Sequence, residues 1–186
     1  MATSTSPLGS TVVQPFAVGL AHPRWMTVLP NGDVLVAETN APPRDGGGFS
    51  IRRFFMRLFM GRAGAGVVSA DRITLLRDTD GDGRADVKLP FITGLTSPFG
   101  MALVGGQLYV ADADALIRFD YPDNALKLEG RAVKVADLPA GRNHHWTKNV
   151  IASPDGRLLF VTVGSNSNIG ENGIDEEVYR AAYLQI

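Results

Sequence analysis

One unit recurs along this chain and constrains its fold more than any other feature. Its first copy runs from Gly19-Leu20 through Pro23 and Trp25-Met26-Thr27-Val28, turns at Pro30-Asn31-Gly32-Asp33, and returns as Val34-Leu35-Val36-Ala37-Glu38. The second opens Gly94-Leu95-Thr96-Ser97-Pro98, continues through Met101-Ala102-Leu103-Val104, turns at Gly105-Gly106 and returns as Leu108-Tyr109-Val110-Ala111-Asp112. The third spans Trp146 to Val163 with Pro154-Asp155-Gly156 as its turn. Each copy is an apolar strand, a Gly-containing turn and a strand rich in Val, Leu, Tyr or Phe, which is a β-hairpin signature. Arg72–Leu76 and Ala115–Phe119 read as outer strands added to the first two hairpins. Repeated antiparallel units of this size predict an all-β fold, a β-propeller. At about 40–50 residues per blade, the chain holds about three to four blades. An antiparallel sandwich of the same hairpins is the competing architecture.

The boundaries follow from composition. Residues 1–15 read as a flexible N-terminal segment and 16–186 as a partial propeller, interrupted by an insertion at about 41–70. The insertion opens with the Pro/Gly loop Ala41–Gly48. Ile51, Phe54, Phe55, Leu58 and Phe59 then recur at helical spacing, with Arg52, Arg53 and Arg57 on or beside the opposite face. This predicts a short amphipathic helix, either capping the propeller or docking on a membrane surface or partner. The chain stops at Arg180–Ile186 in what reads as mid-strand, so a fragment with an uncovered blade face is expected, open to self-association through its edge.

Composition excludes several classes of function. A net charge of -1 over 186 residues lacks the basic surplus that nucleic acid binding needs. Without cysteine there is no disulfide, zinc-thiolate site or thiol nucleophile. No apolar run is long enough to span a membrane, and Met1–Pro7 has neither the basic nor the apolar region of a signal peptide.

Two clusters carry chemistry. Asn143-His144-His145-Trp146-Thr147-Lys148-Asn149 leads into the third hairpin, and Gly164-Ser165-Asn166-Ser167-Asn168 leaves it. A hairpin returns the chain to the edge it left, so both should meet at one end, where a histidine can move a proton near neutral pH. The second cluster is Asp78-Thr79-Asp80-Gly81-Asp82-Gly83-Arg84-Ala85-Asp86, with carboxylates at alternate positions. This is how a loop wraps oxygen around Ca2+, with Asp78, Asp80 and Asp82 as side-chain ligands, Arg84 through its carbonyl, and Asp86 directly or through water. Leu89 stands where such loops carry their bidentate Glu, so a solvated turn capped by its own Asp side chains is the other reading, and a bound ion would be structural.

Together, Arg72-Ile73-Thr74-Leu75-Leu76-Arg77-Asp78, Pro98-Phe99-Gly100-Met101-Ala102-Leu103, the His144-His145 stretch and Val161–Asn168 resemble the glucose/sorbosone dehydrogenase family, in particular its L-sorbosone dehydrogenase branch. The resemblance implies a six-bladed propeller that oxidises a sugar or aldehyde with pyrroloquinoline quinone (PQQ) and calcium, passes electrons to an external acceptor, and works in the periplasm. It implies His145 as general base, with His144 orienting it or touching substrate. Lys148, Asn149, Asn166 and Asn168 are the nearby polar groups for quinone oxygens or sugar hydroxyls. It also implies that most cofactor-clamping cations and the catalytic calcium ligands come from later blades, beyond this chain. Two other readings compete. One is a calcium-dependent propeller lactonase, with Glu38, Asp112 and Asn168 as possible ligands. The other is a non-catalytic scaffold or inactive fragment.

Overall fold

The computed structural model describes residues 3–6, 9–42, 68–141 and 144–186. The helix expected over 51–59 and Asn143 lie outside the described residues. The chain forms β1 (Thr3–Ser6), β2 (Gly9–Val12), β3 (Pro23–Val28), β4 (Val34–Glu38), β5 (Arg72–Arg77), β6 (Val87–Thr93), β7 (Met101–Val104), β8 (Gln107–Ala111), β9 (Ala115–Asp120), β10 (Val133–Asp137), β11 (Val150–Ala152), β12 (Leu159–Val163), a 3-10 turn (Ile174–Glu177) and β13 (Ala182–Gln185). β1 and β2 pair only with each other. The rest make three antiparallel sheets in strict sequence order, β3-β4-β5-β6, β7-β8-β9-β10 and β11-β12-β13. These are successive propeller blades, and each begins with one of the repeated hairpins. The sequence pattern does not separate the outer strands β6 and β10 from the loops, whereas β13 falls within the Arg180–Ile186 stretch that reads as strand.

Side-chain alternation explains the stacking. In β8, Leu108 and Val110 point toward the first blade and join Leu35, Ala37, Ile73, Leu75 and Phe119 in one core. Ala111, with Tyr109 beside it, points the other way and joins Val150, Leu159 and Val161 of the third blade. The middle blade is therefore buried on both faces, the arrangement that period-2 alternation allows only to an interior sheet. Each large aliphatic residue so buried contributes about 1.5–3 kcal/mol. In β4 the opposite set, Val34 and Val36, lines an open groove of about 600 Å³ with Phe16, Leu20, Trp25 and Leu76.

The inner strands β3, β7 and β11 run in one direction, so the molecule has two distinct ends. The lead-in loops lie at one end, where Trp25 stacks on Phe99 at 5.4 Å and Phe99 meets Trp146 edge-on at 6.3 Å. This aromatic row links the three blades. The hairpin turns lie at the other end, where the buried Asp33 is gripped by Arg77 through two 2.7 Å bonds. The lead-ins are also alike in backbone. His22 and Ser97, four residues before Met26 and Met101 of their inner strands, both take left-handed φ, 54° and 48°. His22 is thus a turn residue.

Candidate functional site

The third lead-in and the loop after β12 converge as the hairpin requires. The His145 amide donates to the Ser165 carbonyl at 3.3 Å. The His145 ring Nδ1 lies 3.0 Å from that same carbonyl and 2.9 Å from Ser165 Oγ. A carbonyl only accepts, so Nδ1 carries the proton, and in the neutral ring the lone pair lies on Nε2. The side chain is exposed and no described residue bonds Nε2. The His144 ring, also exposed, lies 5.0 Å from it.

Two neighbours make this placement possible. A Cβ at Gly164 would lie 2.6 Å from both Cβ and the carbonyl oxygen of His145, so only glycine lets the histidine backbone rest on the strand end. Trp146 is buried against Phe99 and tethers the loop to the middle blade. Behind the site, Glu177 accepts the Asn166 amide at 2.7 Å and the Ser167 hydroxyl at 2.8 Å, which hold its carboxyl below the usual range.

The remaining polar residues divide. Asn168 is exposed. Asn149 is half-buried, and its Oδ1 accepts the Val150 amide at 3.0 Å. Asn166 is buried, with its Nδ2 unpartnered among the described residues. Lys148 turns inward and is only 1% exposed. Its Nζ donates to the Ala113 carbonyl at 2.5 Å and the Trp146 carbonyl at 3.4 Å. Burial pushes its ammonium down to about 8. The sequence reading set it beside a ligand; the fold sets it between two blades.

Asp112 was singled out only as a possible metal ligand. It follows Val110-Ala111 as Glu38 follows Val36-Ala37, and the two acids do the same task. Glu38 accepts the Ala21 amide and Asp112 accepts the Thr96 amide. Their surroundings differ. Glu38 also takes bonds from Arg72 and Thr74 on β5, so its carboxylate is satisfied though fully buried. The register puts Ala115 and Ile117 at those places in the second blade, and neither can donate from its side chain. Among the described residues Asp112 Oδ1 is left unpartnered, and burial raises its carboxyl to about 7. Comparison of Thr74 with Ile117 in the two repeats is the sequence signal that could have shown this. Of the lactonase ligand set, Glu38 already accepts from three donors and Asp112 from the Thr96 amide.

The acidic loop joins β5 to β6. It leaves β5 at Arg77, the end opposite Arg72 and Glu38, and so lies on the turn side, roughly 20 Å of strand away from the lead-in end. Asp78, Asp80 and Asp86 bring carboxylate oxygens within 4.8 Å of one another. Asp82 is not in this group; its carboxylate accepts the Arg84 amide at 2.8 Å. The loop's carboxylates also cap its own amides: Asp78 takes those of Gly81 and Gly83, and Asp86 that of Thr79. The three acids offer hard oxygen ligands of the kind calcium takes.

The holo form of the pyranose dehydrogenase PQQ domain from Coprinopsis cinerea superposes with a TM-score of 0.64 at 19% identity, covering 92% of this chain and 35% of that one. A carbohydrate-active enzyme of family AA12 from Trichoderma reesei gives 0.64 at 14%, covering 93% and 37%. The PQQ-bound aldose sugar dehydrogenase from Streptomyces coelicolor gives 0.56 at 17%, covering 95% and 47%. The chain therefore spans between about a third and a half of the length of these structures. No curated protein matches the sequence. The fold is a partial β-propeller of the kind that the sugar dehydrogenase propellers share. The model of a family described as Domain of unknown function (DUF7133) matches residues 16–184, and the chain belongs to that family.

PQQ is an anionic tricarboxylate quinone, and the described residues fit it in part. The unpartnered Asn166 Nδ2 and the accessible His145 Nε2 suit a polar oxygen-rich ligand. Lys148, three residues after His145, is already spent on two carbonyls, and Arg142, three residues before it, lies outside the described residues. Among the described residues, this wall offers a base and hydrogen-bonding groups.

Proposed function

We propose that the whole protein is a quinoprotein-type dehydrogenase of a sugar or aldehyde, of L-sorbosone or glucose type, and that this chain supplies the wall bearing its base. The observation that carries this is the imidazole of His145, with Nδ1–H fixed on Ser165 and Nε2 left basic and accessible. Nε2 takes the proton of a lactol or hydrated-aldehyde hydroxyl, while the hydrogen on the same carbon leaves as hydride. PQQ, when bound, would supply the two-electron acceptor, later reoxidised by an external acceptor. Asn168 and His144, both exposed, would orient substrate hydroxyls, and Asn166 and Asn149, buried and half-buried, would contribute to the wall behind them. Lys148 supports this wall from within. Calcium at Asp78, Asp80 and Asp86 would stiffen the β5–β6 turn, far from the chemistry. A periplasmic site of action accords with this reading.

The test is dye-coupled oxidation of L-sorbosone and D-glucose by the full-length protein, with PQQ and calcium added, alongside His145→Ala. PQQ-dependent turnover falling by about 10²–10⁴-fold in the variant is expected. Turnover that ignores PQQ, or survives the substitution, refutes the assignment.

A further inference from the structure

We propose that Lys148 is a positioning residue, clamping the His145 loop to the second blade in place of the acid that anchors the equivalent loop in the other two. This rests on His145 being the base.

Alignment of the three blades on their paired residues carries the argument. Met26 pairs with Val36, Met101 with Val110, and Val150 with Val161. Counting back five residues from each gives Ala21, Thr96 and His145. Counting forward two residues from each partner gives Glu38, Asp112 and Val163. In the first two blades the acid accepts the lead-in amide, Ala21 to Glu38 and Thr96 to Asp112. The Val163 side chain cannot accept, and among the described residues the His145 amide instead reaches the Ser165 carbonyl, at a long 3.3 Å. The loop bearing the base is the one that lacks the acid anchor of the other two blades.

Lys148 supplies another. Its ammonium joins the carbonyl of Trp146, the residue after His145, to the carbonyl of Ala113, the residue after Asp112. Its own backbone is docked as well, since the Gly100 amide donates to the Lys148 carbonyl at 3.0 Å. Gly100 is required there, because a Cβ would meet the Val150 nitrogen at 2.4 Å. The side chain therefore starts from a fixed point on the second blade and ends on both sides of the blade interface. It is buried, so water does not compete for its hydrogens, and charge-assisted bonds in such surroundings are strong.

The test is native-state amide exchange with ¹⁵N shifts of the imidazoles, on this chain and on Lys148→Met and Lys148→Arg. In Lys148→Met the His145 amide should exchange about tenfold faster, and the His145 ring should change from the Nδ1–H form to a mixture of tautomers. Lys148→Arg, which keeps charged donors, should restore most of both. A folded Lys148→Met with wild-type exchange and tautomer overturns the proposal. Should Lys148→Met not fold, the wild-type chain decides: the His145 amide must open together with the Gly100 amide, and independent opening about tenfold faster rejects the clamp. None of these readouts uses PQQ or sugar, so they stand apart from the activity test. In an active full-length enzyme, Lys148→Met should lower kcat and leave KM in place.

Discussion

Asp112 is the residue at which the repeat and its environment disagree. Its amide partner is kept from the first blade, and its side-chain partners are not. Burial lifts its carboxyl to about 7 from an ordinary 3.8, so the folded protein holds a proton that the unfolded chain releases. Stability must then fall as pH rises from about 4 to about 7 and level off above. Asp112→Asn removes that titration. The wild-type stability minus that of Asp112→Asn, read by urea unfolding across this range, should decline by a few kcal/mol in total. Lys148 acts in the other direction. Its folded value of about 8 lies below its ordinary 10.5, so its contribution rises with pH only above about 8. The Asp114 charge acts on both groups, while Asp71 acts on Asp112 and Arg180 on Lys148.

At the scale of the element, each blade's second strand ends in an acid or in its replacement, and the next strand decides what that acid can do. β5 offers Thr74 and Arg72 to Glu38, whereas β9 offers Ile117 and Ala115 to Asp112. Thr74→Val should cost about 1–3 kcal/mol, because it strips a donor from a buried carboxylate. Ile117→Thr should do the reverse for Asp112, lowering its carboxyl from about 7 and reducing the pH dependence described above. Denaturant unfolding of the first variant and NMR titration of the second check the pair. An unchanged Asp112 titration in Ile117→Thr would show that strand equivalence does not extend to side-chain reach.

At the scale of the molecule, the two ends of the blades are separate environments. The lead-in end holds His145 and the aromatic row, and the turn end holds the Asp33–Arg77 pair and the acidic loop. Calcium added to the chain should raise its thermal midpoint through Asp78, Asp80 and Asp86 and leave the His145 imidazole resonances where they are. Calorimetry and NMR on one sample test this. A His145 shift on calcium addition would mean that the ion binds near the base and not at the loop.

The hairpins, their order and the meeting of the His144-His145 stretch with Ser165–Asn168 were legible in the sequence, because alternation, turn residues and hairpin return are local properties. The outer strands β6 and β10 were not, since these edge strands carry weaker alternation. Three features were decided only by packing: that Ser165 sets the tautomer of His145, that Lys148 faces inward, and that Asp112 is orphaned. Each depends on atoms brought together from different blades or across a sheet. Chain-local pattern determines which strands form and in what order. Only the stacking of finished blades determines which polar atoms find partners and which are left without them.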